Sequence, residues 1–182
     1  SLFKPLETLS GDFLDFSLNE KHFNFAIFDS AGHGPAAAME AYALQNRIDV
    51  KDAVDPKAFA TALNSQSTQQ SESTLFTMSI GNINLESDVL TLCQAGAPLI
   101  YLLPGNLDMP IIQIGLGGLP VGYSPDTMFE SGSYNLAPGD CLVGFSENFP
   151  EKETMELEAR MERVRGKDVK TIKAAVSEWR DR

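Results

Sequence analysis

Near the start of the chain, apolar and polar positions alternate through two short runs. These are residues 13–18 (Phe-Leu-Asp-Phe-Ser-Leu) and 23–28 (Phe-Asn-Phe-Ala-Ile-Phe), separated by the polar segment Asn19-Glu20-Lys21-His22. A period of two marks a strand, and two such runs around a four-residue loop predict an antiparallel hairpin. Setting Leu18 opposite Phe23 places Phe16 opposite Phe25, Leu14 opposite Ile27 and Asp12 opposite Asp29, all on one sheet face. The hairpin is then expected to bury its apolar residues and to end that face with two carboxylates. Directly opposed side chains lie roughly 5 Å apart, where like charges repel. A divalent metal is the obvious group to neutralise them. The rival reading puts both acids at a frayed, wet strand end, where Asp commonly marks a turn.

The residues after Asp29 favour the metal. The strand is expected to stop at Asp29, turn through Ser30-Ala31-Gly32-His33-Gly34 and enter a helix over residues 35–48 with Pro35 in its first turn. Ala36, Ala37 and Ala38 let that helix approach the sheet closely. A strand, a glycine turn and a helix N-terminus surround an acid with backbone N–H donors, which suits a metal and an anion together.

Further along, a second helix is expected over residues 56–64. The purely polar run Ser65-Gln66-Ser67-Thr68-Gln69-Gln70-Ser71-Glu72-Ser73 reads as a surface loop, with a mobile flap over the site as the lesser alternative. Strands are expected near residues 75–83, 89–94, 99–103, 111–114, 129–134 and 141–145, divided by turn signals such as Pro104-Gly105-Asn106 and Pro138-Gly139-Asp140. Residues 151–182 read as two helices broken at Gly166. Helices at both ends of a strand-rich middle predict an α+β domain, a sheet sandwich covered by helices.

Composition narrows the functional classes. A chain of 182 residues, 43% hydrophobic and 21% charged, is one ordinary globular domain with a sizeable core. A net charge of −11 argues against nucleic acid or an anionic membrane surface as partner. No apolar run is long enough to span a bilayer, and no signal peptide is visible. The opening on Ser1 suggests a domain excised from a longer regulatory protein. Two cysteines and two histidines are too few for a zinc site. Cys93 and Cys141 sit in apolar runs and read as buried reduced thiols, which points to the cytoplasm.

The motifs resemble a known family. Gly11-Asp12-Phe13-x-Asp15 followed by Asp29-x-x-Gly32-His33-Gly34-x-Ala36-Ala37 is similar to the SpoIIE/RsbU-like bacterial branch of the PPM metal-dependent serine/threonine protein phosphatases. The resemblance continues in order through Asp55-Pro56, Ala62-Leu63-Asn64, Phe76-Thr77-Met78-Ser79-Ile80-Gly81, Gln94-Ala95-Gly96-Ala97-Pro98-Leu99, Gly118-Leu119-Pro120-Val121-Gly122, Leu136-x-Pro138-Gly139-Asp140 and Phe145-Ser146-Glu147-Asn148. It implies a single phosphatase domain over residues 1–182 with αββα layering, two mostly antiparallel sheets flanked by helices.

The resemblance also implies chemistry. Two ions, Mn²⁺ or Mg²⁺, would be held by Asp12, Asp29, the main-chain carbonyl of Ser30 and Glu147, with Asp29 bridging. Shared carboxylates and two metals make hydroxide available near neutral pH for in-line attack on phosphorus. Asp12 and Asp29 are thus the expected catalytic residues. His33 either protonates the leaving oxygen or only stabilises its turn, and Asp15, on the opposite face from Asp12, reads as structural. The implied substrate is phosphoserine or phosphothreonine on a small signalling regulator of the anti-sigma factor antagonist type, under a fused or associated sensor domain.

Departures from the family pattern motivate a second reading, a degenerate phosphatase fold that binds without catalysing. Glu147 and Asn148 replace aspartate and glycine, Ala97 stands where histidine is usual, and the family's terminal aspartates and final strand are not in view, Asp181 at most approaching them. A third reading is hydrolysis of a small phosphate ester. Two weaker signals have plain readings: Gly115-x-Gly117-Gly118 as a hairpin turn rather than a phosphate cradle, and the alternating charges of residues 151–165 as a solvated helix face carrying Met155, Leu157 and Met161.

Overall fold

The computed structural model describes residues 11–32, 34–46, 48–69, 75–97, 100–146 and 149–180. The expected hairpin forms from β1 (Asp12–Leu18) and β2 (His22–Ser30), in the register Leu18–Phe23, Phe16–Phe25, Leu14–Ile27 and Asp12–Asp29. Next come α1 (Gly34–Gln45), a 3₁₀ turn (Val50–Asp52), α2 (Pro56–Thr68), β3 (Phe76–Asn84) and β4 (Val89–Ala95). The second half holds β5 (Ile100–Leu103), β6 (Ile112–Ile114), β7 (Ser131–Asn135), β8 (Cys141–Val143), α3 (Glu151–Val164) and α4 (Val169–Arg180).

The strands make two antiparallel sheets, one of five strands in the order β1-β2-β3-β4-β7 and one of three in the order β6-β5-β8. Because side chains alternate, each sheet offers one face to the other sheet and one to helices. On its outer face the five-stranded sheet presents Phe28, Met78, Ile80 and Cys93 to Leu44 of α1 and Ala60 and Leu63 of α2. On its inner face Phe25, Leu90 and Leu92 meet Ile100, Leu102 and Ile114 of the smaller sheet. The smaller sheet turns Tyr101 and Leu103 outward onto Leu157 and Met161 of α3 and Ile172 of α4. This is the expected α+β sandwich with αββα layers. Among the described residues no helix is long and apolar enough to cross a membrane, and Cys93 and Cys141 are free thiols, the first buried and the second half-buried.

Three expectations need correction. Helix α1 ends at Gln45, short of residue 48, whereas α2 runs on through the polar run to Thr68. Its last turns satisfy their hydroxyls internally: Ser65 Oγ donates to Thr61 O (3.1 Å) and Thr68 Oγ1 to Asn64 O (2.9 Å). The loop reading therefore fails for residues 65–68, and residues 70–73 lie outside the described part. Secondly, β1 does not bury the apolar residues of its inner face: Leu14 and Leu18 are exposed and Phe16 is 62% exposed. Three strands cannot cover five, and the edge strand of the larger sheet is the one left bare. Thirdly, residues 115–120 form no hairpin turn. They cross without regular structure from β6 to an isolated bridge between Val121 and Phe76.

Asn64, buried in α2, pins the far side of that crossing. Its Nδ2 donates to Ser124 O and its Oδ1 accepts from Gly122 N–H, both at 2.8 Å. Asp55 caps the same helix, accepting from Ala58 N–H at 3.0 Å.

Candidate metal-binding site

The site is built at the open end of the β1–β2 ladder. Ser30 N–H donates to Gly11 O at 3.3 Å, which makes 11/30 a hydrogen-bonded position. By alternation 12/29 is a non-hydrogen-bonded position, where opposed Cα atoms are roughly 4.5 Å apart and side chains lie closest. Asp12 and Asp29 occupy it, each half-buried, on the inner face of the larger sheet. The two acids predicted to converge are thus placed side by side.

Behind them the backbone is tightly packed. Ser30 is buried, and its hydroxyl donates to Ala37 O at 3.0 Å, tying the end of β2 to α1. N–H and C=O of one strand residue point to the same side, so the Ser30 carbonyl faces Gly11 and Asp12. Gly11 allows this approach: a Cβ there would lie 2.3 Å from Ser30 Oγ and 3.2 Å from Ser30 O. Strand β2 runs one residue past the expected end, and the chain then turns through Gly32 (φ +100°) into α1 with Pro35 in its first turn. The helix N-terminus therefore opens beside Asp29, where its unpaired N–H groups favour anions.

Two carboxylates and a main-chain carbonyl are hard oxygen donors, the set that Mg²⁺ and Mn²⁺ prefer. Among the described residues no group of three or more His, Cys, Asp or Glu side chains converges. Glu147, the expected third acid, and His33 lie outside the described residues, as do Asn148, Pro98, Leu99 and Asp181. Asp15 lies across from Ala26 on the opposite face, accepting from Phe16 N–H at 2.8 Å.

A cleft of about 540 Å³ opens beside Asp12. Its walls are mostly apolar, with Leu14 and Phe16 of β1, Ile27 of β2, Val143 of β8 and Ile172 of α4, and Lys173 and Asp12 are its only charged lining groups among the described residues. It is the gap left where the smaller sheet stops short of β1. One further polar group at the acids' level carries no sequence signal of its own: Thr77, directly across β2–β3 from Asp29. Forty-five residues, 31–75, separate β2 from β3, so no short turn sets their register and only tertiary pairing reveals it.

The comparisons agree with this architecture. Over 154 residues the chain is 27% identical to the phosphoserine phosphatase RsbU of Bacillus subtilis (strain 168), spanning 82% of this chain but only 45% of RsbU. The structure of RsbX in complex with magnesium superposes with a TM-score of 0.76 at 17% identity, over 98% of this chain and 84% of RsbX. A structure holding the PP2C phosphatase domain of SpoIIE from Bacillus subtilis gives 0.78 at 20% identity, over 97% of this chain and 55% of that one. The family model described as Stage II sporulation protein E (SpoIIE) matches residues 19–180, and the chain belongs to this SpoIIE family, within the PPM phosphatase fold.

Proposed function

We propose that this domain is a divalent-metal-dependent phosphoprotein phosphatase that removes phosphate from phosphoserine or phosphothreonine. The observation that carries the proposal is the in-register pairing of Asp12 with Asp29 at a non-hydrogen-bonded position. Asp12, Asp29, the Ser30 carbonyl and Glu147 would hold two ions, Mn²⁺ or Mg²⁺. When bound, the ions supply a water acidified toward neutral pH and positive charge against the phosphoryl oxygens.

The chain's own part is positional. The β1–β2 ladder keeps two like charges adjacent that would separate in a flexible segment, and the Ser30–Ala37 bond keeps the strand end from drifting off α1. The N-terminus of α1 offers N–H donors to the phosphate as it enters. In the net reaction the phosphorus–oxygen bond to the seryl or threonyl side chain breaks, water oxygen bonds to phosphorus, and the leaving oxygen takes a proton. Membership of the SpoIIE family and likeness to RsbU, a phosphoserine phosphatase, support a protein substrate. An anti-sigma factor antagonist would suit such a domain, acting under a sensor domain in a cytoplasmic signalling pathway.

A second reading, a binding module without catalysis, is favoured by Ala97, Glu147 and the absence of a third converging acid among the described residues. Release of phosphate from p-nitrophenyl phosphate in Mn²⁺, abolished by EDTA and by Asp29→Ala, supports the enzyme. No turnover together with no calorimetric signal for Mn²⁺ would leave the binding module. A panel of phosphopeptides and small phosphate esters then assigns the substrate class.

A further inference from the structure

The inner face of the larger sheet carries a third polar group level with the acid pair. Ala31 N–H donates to Leu75 O at 3.1 Å, so 31/75 is a hydrogen-bonded position of the β2–β3 ladder. Two residues further along β2, 29/77 is another, with Asp29 opposite Thr77. Their Cα atoms are then roughly 5.5 Å apart and both side chains project from the same face. Asp29 thus has Asp12 on one side and Thr77 on the other, three polar residues across three adjacent strands.

The next hydroxyl on that face of β3 is differently employed. Ser79 is fully buried, and Gln94 Nε2 donates to its Oγ at 3.2 Å inside the sandwich. Thr77 is half-buried, at the end of the strand where Asp12 and Asp29 are also half-open to solvent. A carboxylate that receives cations still has lone pairs left for hydrogen-bond donors. Such outer donors fix its orientation, and their loss costs about 10–100-fold in metal affinity or activity. A threonine suits this task because its β-branch restricts the hydroxyl to few directions.

We propose that Thr77 is a positioning residue, its hydroxyl acting on the Asp29 carboxylate to hold it where it receives the cations. This rests on the metal site proposed above. It adds that the site spans three strands, with β3 supplying orientation rather than a ligand. The bland alternative is that threonine is there only as a good strand former, a role valine fills equally well.

The test is calorimetric titration of the 182-residue chain with MnCl₂, for wild type, Thr77→Val, Thr77→Ser and Asp29→Ala, alongside p-nitrophenyl phosphate kinetics. Thr77→Val keeps the strand and removes only the hydroxyl, so its melting temperature in EDTA should match wild type. Its Mn²⁺ affinity should fall about 10-fold or more, with kcat falling and KM little changed, while Thr77→Ser restores both. Wild-type Mn²⁺ affinity and kcat in Thr77→Val would overturn the proposal and leave Asp29 as a ligand. Unchanged Mn²⁺ binding in Asp29→Ala is a different failure: the metal site itself would be wrong, and Thr77 would have nothing to position.

Discussion

Asp12 faces Asp29 directly across the β1–β2 ladder, at a position where the sheet brings side chains closest. Two carboxylates opposed there repel each other, and a cation between them relieves that repulsion. Replacing Asp29 by Asn removes the repulsion and a ligand charge together, so metal-free and metal-loaded proteins should respond in opposite senses. In EDTA, Asp29→Asn should melt at or slightly above the wild-type temperature. In excess Mn²⁺ the order should invert: a ligand at about 100 times its dissociation constant adds about 2.7 kcal/mol to the wild type alone. For a domain of this size that is a rise of roughly 5–10 °C. Differential scanning fluorimetry with and without Mn²⁺ reads both. A wild type whose melting temperature ignores Mn²⁺ would remove the metal from the account.

The two faces of the hairpin carry very different energetic weight. Phe28 is fully buried under the helices, stacked on Phe13 at 4.4 Å between ring centroids and tilted against Phe76 at 6.0 Å. Phe16, on the other face at the bare edge, is 62% exposed. Phe28→Ala should cost about 3–5 kcal/mol by urea denaturation, as core aromatic truncations do. Phe16→Ala should cost about 1 kcal/mol or less. Exposed apolar edge strands also promote association, so Phe16→Lys should reduce self-association in sedimentation velocity without moving the urea midpoint. A large destabilisation by Phe16→Ala would mean that the β1 edge is covered in solution.

How much of this was legible depends on the range of the interaction. The register from Leu18–Phe23 to Asp12–Asp29 comes from a period of two on either side of a short loop, both local properties. The break at Gly166 was equally local, since its φ of +74° favours glycine. What escaped was set by tertiary packing. The bareness of Leu14, Phe16 and Leu18 comes from the smaller sheet having too few strands to reach β1. In the extension of α2 the hydroxyls of Ser65 and Thr68 bond back to carbonyls four residues earlier, and Ser67 is buried although its neighbours Ser65 and Gln66 are exposed. The crossing at residues 115–120 is held by Gly96 N–H donating to Gly118 O at 3.1 Å and by Asn64, partners far away in the chain. Of the site, the acid pair was readable, but the tight backing of Ser30 and the alignment of Thr77 were not.

Cys93 links burial to alkaline stability. It is fully buried in β4, and that burial pushes its thiol up to about 11 from the ordinary 9.0. The folded protein therefore keeps this proton at pH values where the unfolded chain releases it. The resulting stability is present below about pH 9 and is lost as pH rises from 9 toward 11. Urea midpoints for wild type should fall over that range more steeply than those for Cys93→Ala. Near pH 8 the native thiol is roughly one part in a thousand thiolate, so Cys93 should react with Ellman's reagent only as fast as the protein opens. Equal slopes in wild type and Cys93→Ala would refute the linkage.

Gly11 tests whether the backbone behind the acids is as closely fitted as the distances say. A Cβ at this position would lie 2.3 Å from Ser30 Oγ, 3.2 Å from Ser30 O and 3.3 Å from the Ala37 Cβ. Gly11→Ala must therefore push Ser30 away, break the 3.0 Å Ser30–Ala37 bond or part the strand ends. Any of these moves Asp12 relative to Asp29. Mn²⁺ affinity should drop by more than the loss in melting temperature explains, because the damage is confined to the open end of the ladder. The nearest clashing atom belongs to the Ser30 side chain, whereas the atom proposed to bind metal is its carbonyl. Ser30→Ala alone should then cost about 1 kcal/mol for one buried hydrogen bond and leave Mn²⁺ affinity nearly intact. Combined with Gly11→Ala it should restore part of the affinity that Gly11→Ala removes, a favourable coupling in the double-mutant cycle. Strictly additive losses would show that the strain does not pass through the Ser30 hydroxyl.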